Sequence, residues 1–175
     1  MSEQGNRRID RIRQLGFVQG LEGLPLDELR KRRDDCLAER EYLSFLRRLL
    51  QGRAEILRAE LERRGEGASD EPLIERLATI LGGEGQGSSR GEAVKVGLPE
   101  EEMLLARRRV ERLVSDIAIS DPGQLDDERL AGSADRLVEE ESEISRARTA
   151  VIEILDRLQA ELKRRYKDDP SLVLA

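Results

Sequence analysis

Two rows of apolar residues constrain this chain more than any other feature of it. Leu29, Cys36, Leu43, Leu50 and Leu57 recur every seven residues, and so do Leu130, Leu137, Ile144, Val151 and Leu158. A strict seven-residue period marks helices that pair along a seam, because slight underwinding keeps one row facing the partner. Four residues beyond each row lies the second core position. It holds Arg33, Arg40, Arg47, Ala54 and Leu61 in the first segment, and Ala134, Glu141, Arg148, Leu155 and Leu162 in the second. The seam is therefore charged at its middle. Charge there weakens a coiled coil, and sequences tend to break local rules where function requires it. The expected fold is all-α: two long helices forming an antiparallel coiled-coil hairpin, with short extra helices in the connection and at the N-terminus.

Composition agrees with a thin core. Aromatic residues make up 2% of the chain and charged residues 39%, so Leu, Ile, Val and Ala must do the packing that large rings do in compact domains. The chain has no His, which removes the usual general base, catalytic triad and imidazole metal site. Its one cysteine, Cys36, excludes an internal disulfide and a thiolate zinc cluster. Cys36 lies on the seam and reads as a small buried hydrophobe more readily than as a redox sensor. These features argue against an enzyme and for a binding protein with no catalytic cofactor. One reduced cysteine, no signal-peptide pattern and no apolar run near ~18 residues give the expectation of a soluble cytoplasmic chain without a membrane partner. The net charge of −6 argues against direct DNA binding. Basic runs such as Arg30–Arg33 and Arg107–Arg109 read as solvated faces paired with nearby Glu.

Breakers divide the chain. Residues 1–23 form an N-terminal segment, partly flexible, with a short helix near 7–15. Pro25, Asp27 and Glu28 open the first long helix, expected over 24–64. A linker follows over 65–98, with a short amphipathic helix near 72–81 and a Gly/Ser-rich stretch after it. A third helix is expected over 99–118, opened by Pro99 and three glutamates. The second long helix is expected over 124–169, ended by Asp168-Asp169-Pro170. Gly52 lies inside the first long helix, where glycine costs about 1 kcal/mol relative to alanine. Close approach of a ligand or partner backbone would explain it, as would tolerated drift.

The two seams stand 101 residues apart, and other positions match at that offset. Leu24 pairs with Leu125, Asp34 with Asp135, Glu39 with Glu140, Ser44 with Ser145 and Arg47 with Arg148. Ala59-Glu60-Leu61 matches Ala160-Glu161-Leu162, Arg63-Arg64 matches Arg164-Arg165, and Glu55 aligns with Asp156. Matched Ser, Arg and carboxylate in fixed register points to an internal duplication. Two equivalent helices packed antiparallel would be related by a twofold-like axis.

A polar stripe flanks the seam. Arg40, Ser44, Arg47, Gln51 and Glu55 follow one another at helical spacing, and Glu141, Ser145, Arg148, Ile152 and Asp156 form the partner stripe. Arg can pair with the N7 and O6 acceptors of guanine or stack on its face. A carboxylate can accept from the N1 and N2 donors. Spacing alone equally allows an ordinary salt-bridge-laced face.

The segment from Arg40 to Leu57, REYLSFLRRLLQGRAEIL, closely resembles the first motif helix of the RsiG family, and Leu158–Tyr166 is also similar to that family. RsiG-type proteins are actinobacterial anti-sigma factors armed by cyclic di-GMP that hold WhiG, a flagellar-type sigma factor tied to sporulation. The family motif reads Glu, three residues, Ser, two, Arg, three, Gln, three, Asp, and twin-motif members carry it on each helix of an antiparallel coiled coil. Ser44, Arg47 and Gln51 match the first copy, with Glu55 in place of Asp. Arg40 stands where the motif has Glu, a reversal of charge. Glu141, Ser145, Arg148 and Asp156 match the second copy, with Ile152 in place of Gln. The resemblance covers the two long helices. It implies that these eight matching residues bind cyclic di-GMP, and that the ligand then acts as glue for a WhiG-type sigma factor. The competing expectation is a ligand-independent coiled-coil adaptor or oligomerisation protein, which needs the seam but not the stripe.

Overall fold

The structure is a computed structural model that describes residues 7–65, 97–116 and 125–173. The described residues are helical, with no strand among them. They comprise α1 (Arg8–Ile12), α2 (Leu26–Gly65), α3 (Glu100–Asp116) and α4 (Asp127–Asp168), with single turns of 3-10 helix at Leu15–Phe17, Leu21–Gly23 and Pro170–Val173. The short helix expected near 72–81 lies outside the described residues.

The long helices begin and end by chemistry legible in the chain. Asp27 and Glu28 occupy the first turn of α2, and Arg63 and Arg64 its last, each charge set against the opposite end of the helix dipole. At the start of α4 the Asp126 carboxylate accepts the Arg129 amide at 2.8 Å, so Asp126 caps the helix. Gly52 sits in α2, and a Cβ built there would meet nothing within 4 Å among the described residues. Close approach of another described residue therefore does not explain it.

The chain divides into two compact units, Met1–Ser44 with Ser145–Ala175, and Phe45–Ile144. In the first, the leading half of α2 runs antiparallel to the trailing half of α4: Arg30 donates to the Tyr166 hydroxyl at 3.1 Å and Arg148 to Ser44 at 2.8 Å. Its core is Ile12, Leu29, Cys36 and Leu43 with Ala147, Val151, Leu155, Leu158 and Leu162. In the second unit the trailing half of α2 runs antiparallel to the leading half of α4, with Gln51 bonded to Glu141 and Arg64 to Asp127. Its core is Leu46, Leu50, Ala54, Leu57 and Ala59 with Ala106, Val110, Leu130, Ala134, Leu137 and Ile144. All ten residues of the two heptad rows are buried. Each buried leucine contributes roughly 1.5–3 kcal/mol relative to exposure, and so the rows dominate the stability of both units.

Burial extends to a row that the seven-residue pattern did not single out. Three residues beyond the seam, Glu39, Leu46 and Glu60 are buried on α2, and Ser133, Ala147 and Glu161 on α4. A +3 step lands on the opposite flank of the seam from a +4 step. On this flank Arg8 of α1 donates to Glu39 at 2.8 Å, and Arg109 of α3 donates to Glu140 at 2.7 Å. These two pairs stand 101 residues apart. The offset also carries Arg7-Arg8-Ile9-Asp10-Arg11-Ile12 onto Arg108-Arg109-Val110-Glu111-Arg112-Leu113. The repeated unit is therefore a short helix and a long one, joined by an arginine–glutamate pair.

The repeat also closes the helix ends. Glu60 accepts from Arg63 at 2.8 Å and from Arg64 at 2.9 Å, and Arg64 donates onward to the Leu125 carbonyl at 2.6 Å. Glu161 accepts from Arg164 and Arg165 at 2.8 Å, and Arg165 donates onward to the Leu24 carbonyl at 2.7 Å. Each glutamate thus aims an arginine at the chain entering the other long helix. The hydrogen bond from Arg63 is the main reason the Glu60 carboxyl is held at about 2, against partial burial, with Arg64 adding to it. Hydrogen bonds from Arg164 and then Arg165 hold Glu161 likewise at about 2.

A carboxyl whose pKa is lowered from 4.5 to about 2 on folding contributes stability that is complete above its unfolded value. The contribution drains away as pH falls through that interval. Glu60→Gln and Glu161→Gln should each cost about 1 kcal/mol at pH 7, since both clasps border solvent. Urea titrations should show the gap to wild type narrowing by pH 3, and a gap independent of pH would contradict the clasp. Burial in the seam, and after it the charges of Asp35 and Glu39, push the Cys36 thiol up to about 12. The folded protein should therefore resist a thiol-specific chromophore at pH 8 and react only after denaturation.

Candidate functional site

The polar stripe is built where the seam loses its apolar second position. Toward the helix ends that position holds Ala54, Ala134, Leu155 and Leu162, all buried, and on α2 also Arg33 and Leu61, which are half-buried. At the middle it holds Arg40, Arg47, Glu141 and Arg148, none of which is fully buried. Long charged side chains there lie along the apolar row and keep their heads at the surface.

In the first unit, the Ser44 hydroxyl is the centre of a small network. It donates to the Arg40 carbonyl at 2.7 Å, one turn back on its own helix, and accepts from Arg148 Nε at 2.8 Å across the seam. The Arg40 guanidinium pairs with Glu41 at 2.8 Å and is 20% exposed. Ser145 belongs to the same unit and is half-buried, as is Ile152, and Asp156 is exposed. In the second unit Glu141 is the centre. Its Oε1 accepts from the Gln51 amide at 3.2 Å and lies 3.5 Å from Arg47 Nη1. Glu141 is 18% exposed and Arg47 36%. Glu55 belongs to this unit and is exposed.

The structure thus joins Ser44 with Arg148 in one unit, and Arg47, Gln51 and Glu141 in the other. It shows no bond of Glu55 or Asp156 to these groups. Among the described residues no buried side-chain polar atom lacks a hydrogen-bond partner. Ser44 and Arg148, and Arg47 and Gln51 with Glu141, satisfy one another across the seam, with donors and acceptors of the kind that recognise a purine edge. No group of three or more metal-ligating side chains occurs among the described residues, and no described helix is long and apolar enough to cross a membrane.

Reading by heptads missed the flank of the seam occupied by α1 and α3. Its signal was present: the 101-residue offset, extended back to Arg7–Ile12, finds Arg108–Leu113 and pairs Arg8–Glu39 with Arg109–Glu140.

Half-exposed ion pairs contribute little to stability, typically under 1 kcal/mol. Arg47→Ala and Arg148→Ala should accordingly unfold within about 1 kcal/mol of wild type in urea. A loss of several kcal/mol from either would mean that the stripe is structural.

Among families of known proteins, the model described as RsiG-like matches residues 16–81. The match takes in all of α2, including Ser44, Arg47, Gln51 and Glu55, and bears out the resemblance read from residues 40–57. It leaves α4 outside. No curated protein matches the sequence.

Proposed function

We propose that this chain, RsiG-like over residues 16–81, is an anti-sigma factor that binds cyclic di-GMP on its polar stripe and, with the ligand in place, sequesters a WhiG-type sigma factor. The family match points by itself to a regulatory role and to a sigma factor as partner. The observation that carries the reading is that the matched helix bears the motif residues Ser44, Arg47 and Gln51, while a second set, Glu141, Ser145, Arg148 and Asp156, recurs 101 residues later.

Physical chemistry supports a ligand acting as glue. Arg47, Arg148 and Glu141 are charged and only partly covered. Burying such groups against a protein surface is costly unless each finds a partner. A guanine base supplies two acceptors to an arginine on one edge and two donors to a carboxylate on the other. Bound guanines would replace the mutual pairing of the stripe and present a flatter, less charged surface. Ligand and sigma factor then help one another to bind, with equal coupling in both directions.

The test is calorimetry of the full-length protein with cyclic di-GMP, alone and mixed with a WhiG-type sigma factor. Binding is expected, tighter with the sigma factor present. Arg47→Ala and Arg148→Ala should each weaken it by about 1–3 kcal/mol, the range for a bidentate guanine contact. Absence of heat from both the free protein and the mixture would overturn the proposal. A ligand-independent coiled-coil adaptor is the competing reading, favoured by the way the stripe side chains already pair without a ligand. It prevails if the double arginine variant retains its protein partner at unchanged affinity.

A further inference from the structure

One side of α3 packs within the second unit and the other does not. Ala106 and Val110 are buried, and Arg109 on the same side donates to Glu140 of α4 at 2.7 Å. On the outer side Glu101, Leu104, Leu105 and Arg108 are all exposed. Steps of three and four residues set these side chains on one stripe. Leu104 is 43% exposed and Leu105 55%, so the middle of the stripe is apolar area left without cover. Its charges are ordered by sign. Glu101 stands before the leucines and Arg108 after them. Among the described residues, neither the Glu101 carboxylate nor the Arg108 guanidinium has an ion-pair partner. The internal duplication shows that packing of the short helix does not require this stripe. The 101-residue offset sets Leu104 and Leu105 against Glu3 and Gln4, and Arg108 against Arg7, which pairs with Asp10 at 3.4 Å.

A stripe ordered acidic, apolar, basic is complementary to itself when reversed, which is the requirement for an interface that uses the same patch on both subunits. We propose that a second copy of this chain docks on this stripe, its α3 antiparallel to the first about a twofold axis between Leu104 and Leu105. Leu104 of each copy then packs on Leu105 of the other. Glu101 of each faces Arg108 of the other, so that one charge pair is made twice. Glu111 and Arg112, also exposed, fall beyond the first turn of the opposing α3 and offset each other's charge. Other occupants use only part of the stripe. A nucleic acid is repelled by Glu101 and leaves the leucines in water. An acidic partner helix takes Arg108 but not Glu101, and an anionic lipid surface has the same mismatch. One helix face per copy lies at the low end of interface sizes, and so the association is weak and reversible. It adds to the proposed function and does not depend on it.

The experiment is sedimentation velocity of the full-length protein over a wide range of concentration, at low salt. Wild type should show a reversible monomer–dimer equilibrium that weakens as salt is added. Glu101→Arg and Arg108→Glu should each weaken the dimer by about tenfold or more, because either change sets like charges together at both copies of the pair. An equimolar mixture of the two variants should dimerise about as well as wild type, since both contacts of the mixed pair again join opposite charges. The double variant should dimerise likewise. A folding defect in either variant would not be cured by mixing, which keeps the result decisive. Leu104→Asp with Leu105→Asp should abolish the dimer. Wild type that stays monomeric at every concentration overturns the proposal and leaves the stripe to another part of the chain or to a different partner. A dimer that survives the double leucine change lies on another surface and overturns it equally, as does a mixture of the charge variants that fails to associate.

Discussion

The buried heptad rows are the constraint from which the rest of the molecule follows. Leu29, Cys36, Leu43, Leu50 and Leu57 meet Leu130, Leu137, Ile144, Val151 and Leu158 in two cores with scarcely an aromatic ring available to either. A core that thin tolerates little else. Its flanks are satisfied largely by charge pairing, and most flank residues are Arg, Glu or small side chains. The clasps at Glu60 and Glu161 show how this is arranged. A carboxylate fixes two arginines on its own helix, and one of them donates to a backbone carbonyl where the other helix begins. That carbonyl precedes the helix and has no intrahelical partner to lose.

The same economy bears on the proposed ligand site. Toward the ends, the second core position is apolar except at Arg33, and Ala54, Ala134, Leu155 and Leu162 there are buried. At the middle it is occupied by groups that are hydrogen-bonded but only partly covered. Their mutual bonds keep the ligand-free protein from leaving buried polar atoms unsatisfied. Such bonds at a half-exposed surface are worth little, so that on the proposed reading a ligand would replace them at small cost. A sealed apolar middle would make a steadier coiled coil.

Much of this was legible in the chain because a helix converts sequence spacing into position. A seven-residue period becomes a seam, and a 4-3-4 spacing becomes a stripe. A constant offset predicts that equivalent residues make equivalent contacts, as Glu60 and Glu161 do. The offset was less well used for the arginines that precede the long helices. Arg8 and Arg109 stand in elements of different length, α1 and α3, and their placement against Glu39 and Glu140 agrees with the match that the offset carries. Leu46 was hidden for a related reason. A heptad pattern reports the residues that face one partner, and Leu46 is buried on the flank of the seam, off that row.

Sequence by itself determined the helical class, the two apolar rows, the duplication and the identity of the stripe, since all of these are matters of local periodicity and composition. Tertiary structure alone decided which stripe residues pair: that Arg148 donates to Ser44, and that Gln51 and Arg47 converge on Glu141. Such pairing depends on the axial register of one helix against the other. Register is set by how whole rows of side chains interlock, and a shift of one turn would exchange every partner while leaving each helix, taken alone, unchanged.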